Sequence, residues 1–233
     1  MLYRSFAASA SGLLVLTIHH ETVSAGWMAL RPLFATPIYQ ASLSTDRGFE
    51  NFNAELEAAC TMLAQEDRAG RAWCEAHGYG GYTSYASLTD LPRRATVFAD
   101  LKRKLDAHAR TFARDLAYDL GAGRLRLDSL WVNVLQPGAG HSGHIHPHSV
   151  VSGTVYVRTP KGASALKLED PRLPLMMAAP PRRADAPEDQ QAFVYLQPTP
   201  GTVLMWESFL RHEVPPNAAR SARISISFNY AWR

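Results

Sequence analysis

Four of the chain's nine histidines fall inside one short stretch, His141-Ser-Gly-His144-Ile-His146-Pro-His148. Imidazole is the commonest side-chain metal ligand. In an extended chain, residues two apart point to the same side, so His144 and His146 can address one ion together. Pro147 opposes a helix here and holds His146 extended. The cluster follows a strand-like run, Leu130-Trp-Val-Asn-Val-Leu135. A loop that merely happens to be rich in histidine is the alternative. The cluster is internal and interleaved with Gly, Ser and Pro, which no purification tag is, so a metal site is the stronger reading.

Such a site needs a ligand from elsewhere in the chain. His212 is the best placed, since it follows the strand-like Gly201-Thr-Val-Leu-Met-Trp206 and the short turn Glu207-Ser-Phe-Leu-Arg211. A histidine in a surface turn is the competing reading. The final strand, Arg223-Ile-Ser-Ile-Ser-Phe-Asn-Tyr230, alternates cleanly. Ile224, Ile226, Phe228 and Tyr230 face one way, while Arg223, Ser225, Ser227 and Asn229 face the other. An Arg followed by hydroxyls and an amide suits a carboxylate, which a guanidinium binds through two parallel hydrogen bonds. The same polar side could simply face water, and periodicity alone leaves the two readings level.

The elements that would position these residues come in two blocks. Leu33–Leu43 reads as an opening strand, with Pro37 placing it at an edge or bend. Phe49, Phe52, Leu56, Cys60 and Leu63 form one helical stripe, predicting a helix over 48–68 capped by Thr45 or Asp46. Residues 70–90 are rich in Gly, Tyr and Ser and read as a surface loop. A second helix is expected over 93–120, opening near Asp90-Leu-Pro92, with the stripe Phe98, Leu101, Leu105, Phe112, Leu116 and Leu120. Gly121 and Gly123 would end it. After Arg124 short strands follow at 125–135, 150–158, 164–169, 192–197, 202–206 and 223–231, with Pro and Gly between them. That pattern predicts a sandwich or barrel rather than βαβ units, with two helices packed outside an antiparallel barrel. Trp131 and Trp206 read as core aromatics, and Asp170 as a turn former.

Bulk properties bound the rest. A length of 233 residues builds one substantial core or two small ones. The net charge of +3 is too small to argue for nucleic acid, and the basic run Arg93, Arg94, Lys102, Arg103, Lys104 reads as the solvated side of a helix. Cys60 and Cys74 form neither a disulfide framework nor a zinc spacing, which fits a reducing cytoplasm. Leu13–Ile18 is too short for a membrane span and no clear signal-peptide cleavage site follows. Residues 1–30 are expected to be a poorly ordered extension, or one arising from an upstream start codon. Residues 31–233 are expected to form a single domain.

One further pattern ties these pieces together. His144-x-His146-Pro, Ser152-Gly-Thr-Val-Tyr-Val157, Glu169-Asp-Pro171, Pro200-Gly-Thr-Val-Leu204, His212-x-Val-x-Pro-Asn217 and Arg223-Ile-Ser-Ile-Ser-Phe-Asn229 resemble a bacterial and phage family of 2-oxoglutarate- and iron(II)-dependent oxygenases. Leu33-Phe-Ala-Thr-Pro-Ile-Tyr39 resembles that family's first strand. The resemblance runs from about residue 31 to the C-terminus and implies a mainly β fold, the double-stranded β-helix (a cupin-like jelly roll), with Fe(II) at its open end. It implies His144, His146 and His212 as the metal ligands, and an oxygenase that hydroxylates an unidentified substrate with release of succinate and CO2. It also tips Arg223 toward the far carboxylate of 2-oxoglutarate, with Arg220 and Ser225 in reserve. Asn133 and Tyr156 lie on adjacent strands and could bond the same cofactor, or be satisfied core groups. The wider superfamily uses two histidines and a carboxylate. Here no Asp or Glu stands in the carboxylate's place, so His146 fills it, or His148 does if His146 is the first ligand, or a water. His141 is expected outside the ligand set.

Three functions remain open on these residues. The first is the oxygenase, acting on a small-molecule or peptide substrate. The second is a cupin-like zinc or manganese enzyme (lyase, isomerase or hydrolase) without 2-oxoglutarate. The third is a non-catalytic barrel that binds a metal or small acid. No nucleic-acid or membrane partner is expected, and an oligomer stays open.

Overall fold

Apolar periodicity divides the chain into a helical half and a stranded half, as the sequence leads one to expect. The computed structural model describes residues 32–233, so the expected extension over residues 1–30 lies outside the described residues. All the helices and strands fall in the compact unit Thr36–Arg233. β1 (Tyr39–Ser42) is followed by α1 (Phe49–Glu66), α2 (Arg68–Ala76), β2 (Gly81–Thr83) and α3 (Thr96–Asp115). Then come β3 (Leu125–Leu135), β4 (His141–His144), β5 (Val151–Arg158), β6 (Leu166–Glu169), β7 (Phe193–Leu196), β8 (Thr202–Glu207), β9 (His212–Val214) and β10 (Arg223–Trp232).

The strands make two antiparallel sheets. The larger has the order β1-β8-β5-β10-β3-β2, and the smaller β4-β9-β6-β7. β10 runs between β3 and β5, pairing Ser225 with Asn133 on one side and with Tyr156 on the other. β1 is an edge strand and begins at Tyr39, two residues after Pro37, so the expected strand Leu33–Leu43 is shorter at its start and the proline takes no place in the ladder.

The alternation in the large sheet decides where everything sits. Val132, Val155, Met205, Ile224, Ile226 and Phe228 join one apolar cluster with Leu56 and Cys60 of α1 and Phe98, Leu101 and Leu105 of α3. Each such burial stabilises by about 1.5–3 kcal/mol relative to exposure. The intervening residues turn the other way, and there Tyr156, Leu204 and Trp206 pack with Leu166 and Leu168 of the small sheet. Both faces of β10 are therefore covered. Its Arg-Ser-Asn side faces the space between the sheets, not solvent, and Arg223, Ser225 and Asn229 are buried.

Several boundaries differ from expectation, for physical reasons. α1 starts after Gly48, whose φ of 79° turns the chain, with no side-chain cap. Asp46 pairs instead with Lys104 at 2.6 Å. The expected loop 70–90 holds α2 and β2, because Asp67 accepts from the Gly70 N–H at 3.0 Å and from the Tyr82 hydroxyl at 2.9 Å, capping one element and tying it to the next. Leu91–Arg93 is a separate 3-10 turn, and extended Ala95 delays α3 to Thr96. α3 ends at Asp115, well before Gly121. Ala117 takes a φ of 55°, the Tyr118 N–H reaches the Ala113 carbonyl and the Ala117 N–H the Arg114 carbonyl. That is the Schellman pattern, closed here without its usual glycine.

Candidate metal and cofactor site

The histidine cluster does not end β3 but forms a strand of its own. After the turn at 136–140 the chain enters the small sheet as β4, where an irregular register with β9 sets His144 directly opposite His212. His146 lies just past β4, its N–H bonded to the Ser208 carbonyl at 3.0 Å. One ligand atom from each of His144, His146 and His212 lies within 4.8 Å of the other two. Two nitrogens on one ion stand about 3–4 Å apart, so small ring rotations suffice to close the set. No carboxylate joins this group among the described residues.

Two of the three rings have their hydrogen placed by the backbone. His144 Nδ1 is 2.7 Å from the Ser142 carbonyl and His212 Nδ1 is 2.9 Å from the Leu210 carbonyl. A carbonyl only accepts, so each Nδ1 carries the hydrogen and each Nε2 keeps its lone pair. Such outer contacts commonly fix a metal-binding histidine. Burial lowers His212 to about 3, helped by His144, and lowers His146 to about 4. His144 is lowered too, again mainly by burial. All three shifts favour the uncharged ring, the form that metal binding requires.

His141 stacks on His144 with ring centroids 4.5 Å apart and meets the edge of Tyr79, but it is not one of the three converging donors. His148 is exposed and also outside that group. Arg220 is exposed on the loop before β10.

The same cavity holds Arg223, Tyr156, Asn133 and Ser225. Arg223 is 2% exposed. Its Nη1 donates to Ser225 Oγ at 3.3 Å and its guanidinium lies 4.8 Å from the centroid of the Tyr156 ring. No carboxylate pairs with it among the described residues, and its Nε has no partner. The Tyr156 hydroxyl and Asn133 Oδ1 are likewise buried without partners, as is Trp206 Nε1 beside His212. A buried, unpaired guanidinium costs several kcal/mol. Unsatisfied polar groups are scarce in native interiors, and these converge on one cavity. The guanidinium, the Tyr156 hydroxyl and the Trp206 N–H are donors and fit an anionic, oxygen-rich ligand, while three neutral imidazoles fit a divalent cation. Asn133 Oδ1 is an acceptor, so Asn133 would serve such a ligand only with its amide turned over. The enclosed volume is about 40 Å³, room for about three waters. A five-carbon dicarboxylate would need shifted side chains, or a reach toward the adjoining groove, to fit there.

Sequence reasoning gave no site role to Trp206 or to the buried pair Ser152 and Ser208. Trp206 is buried in the core as expected, and its ring also lies 4.7 Å from that of His212. Ser152 shares the inward face of β5 with Tyr156, two steps of the alternation away, but its contact with Ser208 has no signal in the sequence. Asp170 is the turn former expected, accepting from the Arg172 N–H at 2.9 Å.

Comparison with known proteins agrees with this architecture. Residues 129–229, which run from within β3 to most of β10 with all three histidines and Arg223, match the family described as "Putative 2OG-Fe(II) oxygenase". The chain has no match among curated protein sequences. Among solved structures it is similar to a Pseudomonas putida prolyl-4-hydroxylase, at 17% identity and TM-score 0.53 over 85% of this chain and 94% of that one. The non-heme alpha-ketoglutarate-dependent carbocyclase SnoK from nogalamycin biosynthesis aligns at 13% identity and TM-score 0.56, over 84% of this chain and 79% of that one. HygX from Streptomyces hygroscopicus, solved with iron bound, aligns at 15% identity and TM-score 0.51, over 84% and 83%. At such identities the likeness establishes the fold. It is a double-stranded β-helix, and over residues 129–229 the family match agrees with the resemblance read from the sequence.

Proposed function

We propose that the chain is an iron(II)- and 2-oxoglutarate-dependent oxygenase that hydroxylates a substrate with release of succinate and CO2, and that residues 31–233 act as one catalytic domain. His144, His146 and His212 would hold the ion, and Arg223, with Tyr156 and Asn133, the far carboxylate of 2-oxoglutarate. The observation that carries this reading is Arg223, a buried guanidinium with no carboxylate partner among the described residues, in the cavity that the three histidines border. Bound iron would supply oxygen activation coupled to oxidative decarboxylation of 2-oxoglutarate. The protein's part is to keep three imidazoles neutral, hold a cation where an anion must bind, and exclude bulk water between the sheets.

The substrate side is a groove of about 620 Å³ that meets the site at His141, His144 and His146. Trp73, Tyr79, Tyr85 and Trp131 border it, and among the described residues no Asp, Glu, Lys or Arg lines it. This supports a small molecule or peptide that presents an uncharged face. Among the described residues no helix is long and apolar enough to cross a membrane. Two free, buried cysteines support a reducing cytoplasm.

The carboxylate-free donor set also suits a cupin-like zinc or manganese enzyme; the unpaired Arg223 favours the oxygenase. Purified protein with iron(II), ascorbate and 2-oxoglutarate, over a panel of amino acids, peptides and lipids, tests the choice. Succinate formation that depends on iron is expected. Turnover with zinc or manganese and no succinate with any substrate would replace the oxygenase by the cupin-like enzyme.

A further inference from the structure

His146 differs from its two partner histidines in what holds its ring. Its Nδ1 is 3.2 Å from Asn229 Nδ2. The other amide atom of Asn229 is 2.8 Å from Ser152 Oγ, which is 2.8 Å from Ser208 Oγ. Asn229 is 6% exposed and the two serines 1% each. The result is a buried row of neutral groups, His146–Asn229–Ser152–Ser208, with no charge in it.

Such a row can carry its hydrogens in either direction, because an amide offers an acceptor at one end and donors at the other, and a hydroxyl does both. In one direction Ser208 donates to Ser152, Ser152 to Asn229 Oδ1, and the Asn229 amide to His146 Nδ1. The His146 hydrogen then sits on Nε2, which cannot bind a metal. With the amide turned over, His146 Nδ1–H donates to Asn229 Oδ1, Asn229 Nδ2 to Ser152, and Ser152 to Ser208. Nε2 is then free. Both directions make three hydrogen bonds. His144 and His212 have no such choice, since their partners are carbonyls.

We propose that Asn229 is the positioning residue that gives His146 its metal-binding tautomer, and that an arriving ion sets the direction of the Asn229–Ser152–Ser208 row. The inference rests on the metal-site reading above and concerns the one ligand that stands where a carboxylate would be expected. The neutral amide leaves the three-histidine site without any added negative charge from its outer contacts.

Zinc can serve as the probe, with no turnover needed. Protein labelled with 15N-histidine is examined by long-range 1H–15N correlation with and without zinc, and His146 is assigned by the signals lost in His146→Gln. The expected zinc-loaded state has His146 protonated at Nδ1 and bound through Nε2. Asn229→Leu, which cannot accept, should bind zinc at least tenfold more weakly, at the lower edge of the range for outer-contact losses at metal sites. Asn229→Asp, which can only accept, should bind zinc at least as well as the native chain and hold Nδ1–H even without metal. Zinc bound through Nδ1 of His146, native affinity in Asn229→Leu, or equal losses in both variants would overturn the role. If Asn229→Leu does not fold, the native and Asp proteins decide by tautomer alone. A native chain that takes zinc at the three histidines with the wrong tautomer removes only the role of Asn229. One that leaves those histidine signals unmoved by zinc removes the metal site as well.

Discussion

His144 and His212 are direct cross-strand partners in the β4–β9 ladder, their ring centroids 4.4 Å apart. Backbone pairing, not a flexible loop, therefore sets the spacing of two proposed ligands, and each ring is further turned by a carbonyl two residues before it. Removing one ring should leave the ladder in place.

His212→Ala is accordingly expected to abolish stoichiometric zinc or iron binding while the far-ultraviolet circular dichroism stays native. Equilibrium dialysis with metal analysis measures it. Full occupancy in the variant would remove His212 from the ligand set.

The depressed histidines make acid stability a second test. His212 sits at about 3, and His141 and His146 at about 4, each lowered first by burial, against about 6.5 in an unfolded chain. The folded state thus binds fewer protons than the unfolded state. The stabilisation is complete above about pH 6.5 and is lost progressively as pH falls toward 3–4. The melting temperature of metal-free protein should drop over that window, and His212→Gln, with one titrating group fewer, should show a shallower drop. Parallel curves for the two proteins would contradict the assignment.

The glycine-free end of α3 offers a test remote from the site. Ala117 holds a φ of 55°, a left-handed conformation that costs an L residue about 1–2 kcal/mol. Ala117→Gly should relieve part of this, raising stability by about 0.5–1 kcal/mol and the melting temperature by about 1–4 °C for a chain of this size. A lower melting temperature in the variant would show that Ala117 is not strained.

That same residue illustrates which parts of the fold were legible in the sequence. The long strand 223–231, with its strict alternation, appears close to its expected bounds, because a one-residue slip would exchange the Ile-Phe-Tyr face for the Arg-Ser-Asn face. The stop of α3 was hidden because its C-terminal turn uses Ala, whereas the visible signal, Gly121, lies beyond it. α2 was masked by Gly70 in its first turn and by its short length. At the site, His144, His146 and His212 could be picked by residue type and spacing. What faces β10, water or a second sheet, is a tertiary fact that one strand's periodicity does not contain. For the same reason Ser152 and Ser208, which bear no chemistry alone, emerge only once β5 and the turn after β8 come together.

The central claim is that a metal and Arg223 jointly create a 2-oxoglutarate site. Titration calorimetry of 2-oxoglutarate into protein loaded with a redox-inert divalent ion addresses it directly, with metal-free protein and Arg223→Ala as comparisons. A lost charged hydrogen bond is worth about 1.5–3 kcal/mol, so Arg223→Ala should weaken 2-oxoglutarate binding at least tenfold while leaving metal affinity nearly unchanged, and metal-free protein should bind it poorly. Equal binding of 2-oxoglutarate by the native chain, the metal-free protein and the Arg223 variant, or no binding by the loaded native chain, would contradict the account.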